Sequence, residues 1–370
     1  MRIAQVVTSY HPKIGGVEAN ARRLARGCVQ AGDQVTVFTH QLDDSPAEEW
    51  IDSVRVLRFP LTVKARNYQA SLALFRSIKE NAAEFDLVHA HSYHTLMGHA
   101  AIRADLPFVF TPHYHGTGHT SFRAVLHRVY RSVGIRQFRA ANTIICNSDA
   151  EKSLLLKDFP WISEKLTTIL PGTDPIPSTR PHNTFKLDEP IVLVVGRLER
   201  YKNVDLIIDA FRSLPLPAAL VVVGQGPDRE RLERHAGNSD PKRPIMFTGR
   251  ISDELLQELF ARASVVVAAS DHEAFGLSVA EGLAMGARVL ASAIPAHTEI
   301  AKTVGPDAAI TLIDVRDPRG LVQHLEQLLL AGPVASGNFK LPTWADFVAN
   351  VREVYARVCA SQHVPMNGRL

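Results

Sequence analysis

Residues 191–226 read IVLVVGRLERYKNVDLIIDAFRSLPLPAALVVVGQG. The run opens on five apolar residues, Ile191 to Val195, and glycine closes it. A short, β-branched, uninterrupted apolar run of this kind is a strand buried on both faces. NVDLIIDAFRSL follows with apolar residues at helical spacing, and AALVVVG is a second buried strand. A buried strand, an amphipathic helix and another buried strand imply a parallel sheet covered by helices.

The same alternation runs outward from there. Downstream come DRERLERHA, IMFTGR, DELLQELFARA, SVVVAAS, SVAEGLAMG and ARVLAS. Upstream, RIAQVVT precedes a helix from Gly16 to about Ala31. QVTVFTH, VRVLRF, a helix over Ala70–Asn81, DLVHAH, FVFTPH, a helix over Phe122–Ala140 and TIICNS follow. Between the two series, from about Pro160 to Pro190, six prolines and few long apolar runs read as a connection. The expected organisation is a first domain over 1–170, a linker over 171–190 and a second domain over 191–343. The result is a two-lobed protein with a cleft between the lobes. Ligands of such sheets bind at the carboxyl ends of the strands, so the strand-to-helix junctions are where chemistry is expected.

At the first junction, Gly15-Gly16 precede a helix and let backbone amides approach an anion. At the second, Arg197 and Lys202 flank a strand end and a helix start, a pairing suited to a diphosphate. Gly224-Gln225-Gly226 lacks the third glycine of a dinucleotide loop, because Arg229 stands there, and reads as a turn. His113, His115 and His119 crowd one loop, but no acidic residue lies between Asp105 and Asp149. They read as hydrogen-bonding residues, with His113 facing a sugar or phosphate, rather than as a metal site. In SDHEAFGLSVAEG, Glu273 falls in a loop after a strand and Glu281 about one turn into the next helix. A carboxylate at the second position can take the two hydroxyls of a ribose.

This set resembles glycosyltransferase family four, retaining enzymes of the GT-B fold. The likeness rests on Gly15-Gly16, His113, Gly196-Arg197 with Lys202-Asn203, and Glu273-Ala-Phe275-Gly276-Leu277 with Glu281. DLVHAHS, ICNSDAEK and TWADFVANVREVY extend it along nearly the whole chain. LPGTD at 170–174 departs from the family's P-N-G-x-D segment. The resemblance implies an α/β fold of two Rossmann-like doubly wound domains facing a central cleft. The first would take the acceptor and the second the donor. A last helix, about 344–361, would return to the first; Phe347, Val348, Val351, Val354, Tyr355 and Val358 give it an apolar face.

It further implies a hexosyltransferase-type enzyme moving sugar from a nucleoside diphosphate sugar, UDP-linked ahead of GDP-linked, to an acceptor hydroxyl, with no metal or other cofactor. Glu281 would hold the ribose and Glu273 the sugar hydroxyls. Arg197 and Lys202 would neutralise the diphosphate, which Gly15 and Gly16 would cap. His113 would sit near the scissile bond. Phe275, Gly276 and Leu277 would shape the donor loop, and Gly249 and Arg250 would lie against the base. A front-face reaction needs no protein nucleophile. A nucleotide-sugar epimerase of the same fold is the alternative. A dehydrogenase is weakened by the missing GxGxxG motif, and a non-catalytic binder by the complete set of charged roles.

Composition agrees with this reading and excludes others. The 370 residues are 46% apolar and 21% charged, globular values too long for one ordinary core. A net charge of +3 gives no drive toward nucleic acid. Cys28, Cys146 and Cys359 form no CxxC pairing and speak for a reducing compartment. With neither a signal-peptide pattern nor an 18-residue uncharged apolar run, the expected location is cytoplasmic. Arg123, Arg128, Arg131, Arg136 and Arg139, interleaved with Leu126, Val129, Tyr130 and Val133, read as a core-packed helix with a basic outer face. A small-molecule or sugar acceptor is expected. Peripheral contact with the inner membrane face, and a lipid-linked acceptor, are the alternative.

Overall fold

A computed structural model describes the chain except residues 14, 43–44, 64–68, 94, 117–132, 175–183, 238–239, 333–340 and 363–370. It divides into two compact units, Met1–Pro171 with Trp344–Leu370, and Gly172–Thr343.

The first unit is built on β1 (Arg2–Val6), β2 (Gln34–His40), β3 (Glu48–Ile51), β4 (Val54–Phe59), β5 (Leu87–His91), β6 (Phe108–Thr111), β7 (Thr143–Cys146) and β8 (Leu166–Thr168). They form one sheet in the order β3-β4-β2-β1-β5-β6-β7-β8. β3 runs antiparallel to β4, and the other pairings are parallel. Its described helices are α1 (Gly16–Gln30), α2 (Leu72–Glu80), α3 (His99–Arg103), α4 (133–140), α5 (Asp149–Asp158) and the final helix, numbered α12 (Trp344–Gln362). Val6, Phe38, Val88, Phe110, Phe138 and Phe159 are fully buried in its core.

The second unit repeats the plan. β9 (Ile191–Val195), β10 (Ala219–Val223), β11 (Ile245–Gly249), β12 (Ala263–Ala268), β13 (Arg288–Ser292) and β14 (Ile310–Ile313) form an all-parallel sheet in the order β11-β10-β9-β12-β13-β14. α6 (Val204–Arg212), α7 (Arg229–Ala236), α8 (Asp253–Arg262), α9 (Leu277–Ala284), α10 (Pro295–Val304) and α11 (Pro318–Leu330) alternate with the strands. Ile207, Ile208 and Phe211 of α6 bury their apolar face against Val192, Leu220 and Val265.

Strand order fixes where a ligand can go. From β9 the chain steps out to β10 and β11, then returns to the other side of β9 as β12. In the first sheet it leaves β1 toward β2 and returns beside it as β5. At such a switch point the flanking loops diverge and leave a crevice at the carboxyl ends of the strands. One crevice is thus set by β9 and β12, the other by β1 and β5.

Two elements differ from the expectation. EEWI forms β3, an edge strand that the sequence reading passes over. The proline-rich stretch does not begin at Pro160: Pro160–Lys165 is a 3₁₀ turn, and Leu166–Thr168 pairs with Ile144–Cys146 as β8. Proline is tolerated at the first position of a helical turn, so it punctuates the sheet without ending it. Of the helix expected over 122–140, residues 133–140 are helical; Arg123, Leu126, Arg128, Val129, Tyr130 and Arg131 lie outside the described residues.

Candidate active site

In the second unit the loops after β9 and β12 are sewn together. Asn203, left-handed at φ 51°, donates its side-chain amide to the Ala269 carbonyl and to Asp271 Oδ1, each at 2.8 Å. The Asp271 amide donates to the Tyr201 carbonyl at 2.8 Å. This brings Lys202, in the 3₁₀ turn Arg200–Lys202, to Glu273, and the two form an ion pair. Ser270 Oγ also donates to Glu273 Oε1, at 2.8 Å. The paired side chains are 17% and 19% exposed. Burial alone would raise the Glu273 carboxyl, but the Lys202 charge and the hydrogen bonds from Lys202 and Ser270 hold it below the usual carboxylate range. Burial opposes the charge on Lys202, yet Glu273 raises its ammonium above the ordinary value. Both bonds fall on Oε1.

Phe275 is buried, and Gly276 caps α9 with φ 103°. A Cβ on Gly276 would stand 2.9 Å from the His297 ring, so both the backbone conformation and the space demand glycine. Leu277 opens α9, where the first amides have no partner within the helix. Glu281 lies half-buried one turn further along. Arg197 is 47% exposed and pairs with Glu199 at 3.3 Å, so the two expected cations are spread apart: one buried on a carboxylate, one facing solvent. Gly249 ends β11 with φ 68° beside Arg229 and Gln225, and Arg250 is exposed. The GQG turn has a packing explanation. A Cβ on Gly224 would come within 1.9 Å of the Gly196 carbonyl oxygen, and one on Gly226 within 2.1 Å of the Leu198 carbonyl oxygen.

In the first unit, Gly15 is the N-cap of α1. Glu18 folds back over it to the place a Cβ would take, and accepts a bond from Ser9 Oγ at 2.5 Å. The chain's own carboxylate therefore lies at the helix start that the sequence reading gives to a phosphate. Gly16 is exposed beside it. His113 follows β6 in the left-handed region, φ 48°. Its Nδ1 lies 3.2 Å from Asn147 Nδ2 and its Nε2 3.3 Å from His91 Nδ1. His91 stacks on His89, with ring centroids 4.3 Å apart. His89 takes the Tyr355 hydroxyl at 2.6 Å and meets Thr111 Oγ1 at 2.8 Å.

The amide of Gln5 is oriented by the Ala21 carbonyl, and that of Asn147 by the Glu151 carboxylate, so both present N–H groups to the imidazoles. Two neutral rings and these two amides bring four hydrogens to three contacts. An imidazolium would bring a fifth. Burial, with repulsion from neighbouring imidazoles, accordingly pushes His89 and His113 down to about 3 and His91 well below its ordinary value. His113 is thus a neutral hydrogen-bonding group. Among the described residues no three His, Cys, Asp or Glu side chains converge to hold a metal ion; His119 lies outside them.

His89, His91, Asn147, Glu151 and Ser270 are the supporting residues that sequence reasoning passed over. A signal existed for the first two: at i and i+2 in DLVHAH they share one face of a strand. Asn147 and Glu151 act through bonds to His113 and Tyr114, which are remote in sequence, and Ser270 through a bond to Glu273 three residues on that carries no periodicity.

Two doubly wound sheets with polar side chains gathered at their switch points define the GT-B architecture. The fold is similar to that of sucrose-phosphate synthase from Thermosynechococcus elongatus, with a TM-score of 0.75 and 22% identity over 98% of this chain and 100% of that one. The family models agree: residues 14–176 match "Glycosyltransferase Family 4" and residues 176–336 match "Glycosyl transferases group 1". The chain belongs to this family and is a glycosyltransferase, an enzyme that moves sugar from a nucleotide sugar to an acceptor. Among curated relatives, the D-inositol 3-phosphate glycosyltransferase of Xylanimonas cellulosilytica is 24% identical, covering 93% of this chain and 92% of its own. A subunit of the human phosphatidylinositol N-acetylglucosaminyltransferase is also 24% identical, covering 100% of this chain and 78% of its own.

Proposed function

We propose that the transfer is retaining, uses a nucleoside diphosphate sugar with UDP as the first nucleotide to test, and needs no metal ion. The observation that carries this reading is the Lys202–Glu273 pair. A cation and a carboxylate are held ionised side by side at the switch point, and both bonds to the carboxylate fall on Oε1. Glu273 Oε2 then suits a sugar hydroxyl. The Lys202 ammonium, with Arg197, supplies the positive charge that a leaving diphosphate needs. Glu281 suits the ribose, and the Phe275-Gly276-Leu277 turn offers helix-start amides to the phosphates. Gly249 and Arg250 are assigned to the base, His113 to a sugar hydroxyl, and Gly15 and Gly16 to the diphosphate once Glu18 turns away.

In the reaction the bond from the anomeric carbon to the phosphate oxygen breaks. The acceptor oxygen bonds to that carbon on the same face, and the leaving phosphate takes the acceptor's proton. Configuration is thereby retained without a protein nucleophile. Glu273 orients the sugar, and the cations stabilise the charge that develops on the phosphate.

The two curated relatives name a small phosphorylated acceptor and a lipid. Of these we propose the small molecule or sugar. The test is a screen of UDP- and GDP-sugars by thermal shift, then turnover with and without chelator, with the product anomer read by NMR. An inverted product, or activity abolished by chelator and restored by metal, overturns the reading.

A further inference from the structure

His297 lies in the first turn of α10 and is wholly buried. Its Nδ1–H donates to the Ser292 carbonyl at 3.0 Å. Its Nε2 has no hydrogen-bond partner, a penalty that an apolar residue in the same space would avoid. The ring bears on the donor loop at both ends, through Ser292 at one and directly at the other. At one end Ser292, which His297 holds, donates its hydroxyl to the Ser270 carbonyl at 2.6 Å, and Ser270 Oγ donates to Glu273 Oε1. At the other end the Cδ2–Nε2 edge stands 2.9 and 3.2 Å from where a Gly276 Cβ would be. The preceding reading gives no role to His297 or Ser292. Both bear on the segment that carries Glu273.

We propose that His297 is a positioning residue for the transfer reaction: it clamps the Ser270–Leu277 loop at Ser292 and Gly276, so that Glu273 presents Oε2 to the donor sugar. This rests on the reading of Glu273 given above. The Ser292 end acts on the orientation of Glu273, whereas the Gly276 end bears on the turn assigned to the phosphates and keeps its packing wherever a ring is retained, so loss of the Ser292 end belongs in kcat.

The test uses the full chain and the nucleotide sugar that the wild type turns over. His297→Phe keeps the ring and removes both nitrogens. It is expected to lower kcat tenfold or more, with donor KM and affinity for free UDP or GDP within threefold of wild type. His297→Asn keeps an N–H for the Ser292 carbonyl and is expected to recover most of the lost turnover. Ser292→Ala, a small change that folds even if the Phe variant does not, is expected to lower kcat severalfold in the same pattern. Wild-type kcat in the Phe and Ala variants overturns the proposal. So does a joint fall of kcat, donor KM and nucleotide affinity in step with melting temperature, which marks a merely structural residue. Failure of the underlying reading looks different: the wild type itself would neither bind a nucleoside diphosphate nor transfer sugar. In that case crystal structures of the variants decide, because an unmoved Glu273 side chain overturns the clamp independently of activity.

Discussion

At Lys202 and Glu273 the proposed chemistry rests on a contact that also bears on stability, and the two roles separate by substitution. Lys202→Ala strands a mostly buried carboxylate. Breaking a buried pair from one side costs about 3–5 kcal/mol, and the partial exposure here lowers that to about 2–3 kcal/mol. The variant is expected to melt earlier and to bind UDP or GDP more weakly, as read by calorimetry. Glu273→Gln keeps the shape of the side chain and its acceptor for Lys202. It is expected to keep the fold and nucleotide affinity while turnover falls about a hundredfold, the usual loss for one oriented transition-state contact. Near-normal turnover would remove Glu273 from the site. At this scale the sequence was legible for residues whose chemistry is local to a junction, such as Glu273 in its loop. It was silent on Ser292 and Asn147, whose value lies in partners brought to them by the sheet.

Elements were legible where burial is two-sided. IVLVV and LVVV could only be central strands, and the helices between them carry an unbroken apolar period. EEWI escaped because an edge strand with one exposed face keeps its charges, and Leu166–Thr168 because three residues between prolines carry little pattern. The contact between α1 and α12 is a further case. Gly27, in the last turn of α1, is unfavourable by up to about 1 kcal/mol against alanine on propensity alone. Its place is explained by Val348 of α12, whose Cγ2 lies 2.4 Å from where a Gly27 Cβ would be. Valine is stiff and cannot turn aside. Gly27→Ala is therefore expected to destabilise, by about 1–3 kcal/mol for overpacking, despite the gain in propensity. Adding Val348→Ala should recover most of the loss. Urea denaturation of the four proteins in the cycle measures the coupling, and additive effects would refute the contact.

For the molecule as a whole, acid stability follows from the imidazole column. His89, His91 and His113 titrate far below an ordinary histidine. Below about pH 6.5 the unfolded chain therefore takes up protons that the folded first unit refuses, at His89 and His113 until about pH 3 and at His91 well below its ordinary value. Stability is full above that window and falls as pH drops through it, by up to about 4 kcal/mol per pH unit for three such groups. Trp50, Trp161 and Trp344 all belong to the first unit, so tryptophan fluorescence reports on it alone. The urea midpoint by fluorescence is expected to fall from pH 7 to pH 5, and His91→Gln should reduce the slope by about a third.

No helix among the described residues is long and apolar enough to cross a membrane. On the first unit Arg139 sits 5.7 Å over the ring of the exposed Trp161. With a small acceptor, co-sedimentation with anionic vesicles at physiological salt should be weak. Strong, salt-sensitive binding lost on replacing Arg128 and Arg131 would point instead to a lipid-linked acceptor.

The place of α12 bears on how the chain is made. The first unit holds Met1–Pro171, yet the helix that covers Gly27, meets Asp33 through Arg352 at 2.7 Å and ends the imidazole column at Tyr355 leaves the ribosome only after residues 172–343. The second unit needs nothing beyond Thr343. The usual order, in which the domain made first folds first during synthesis, is thus reversed for this helix. While residues 172–343 emerge and fold, the first unit waits with the surface of α1 around Gly27 uncovered, a surface of the kind that chaperones hold.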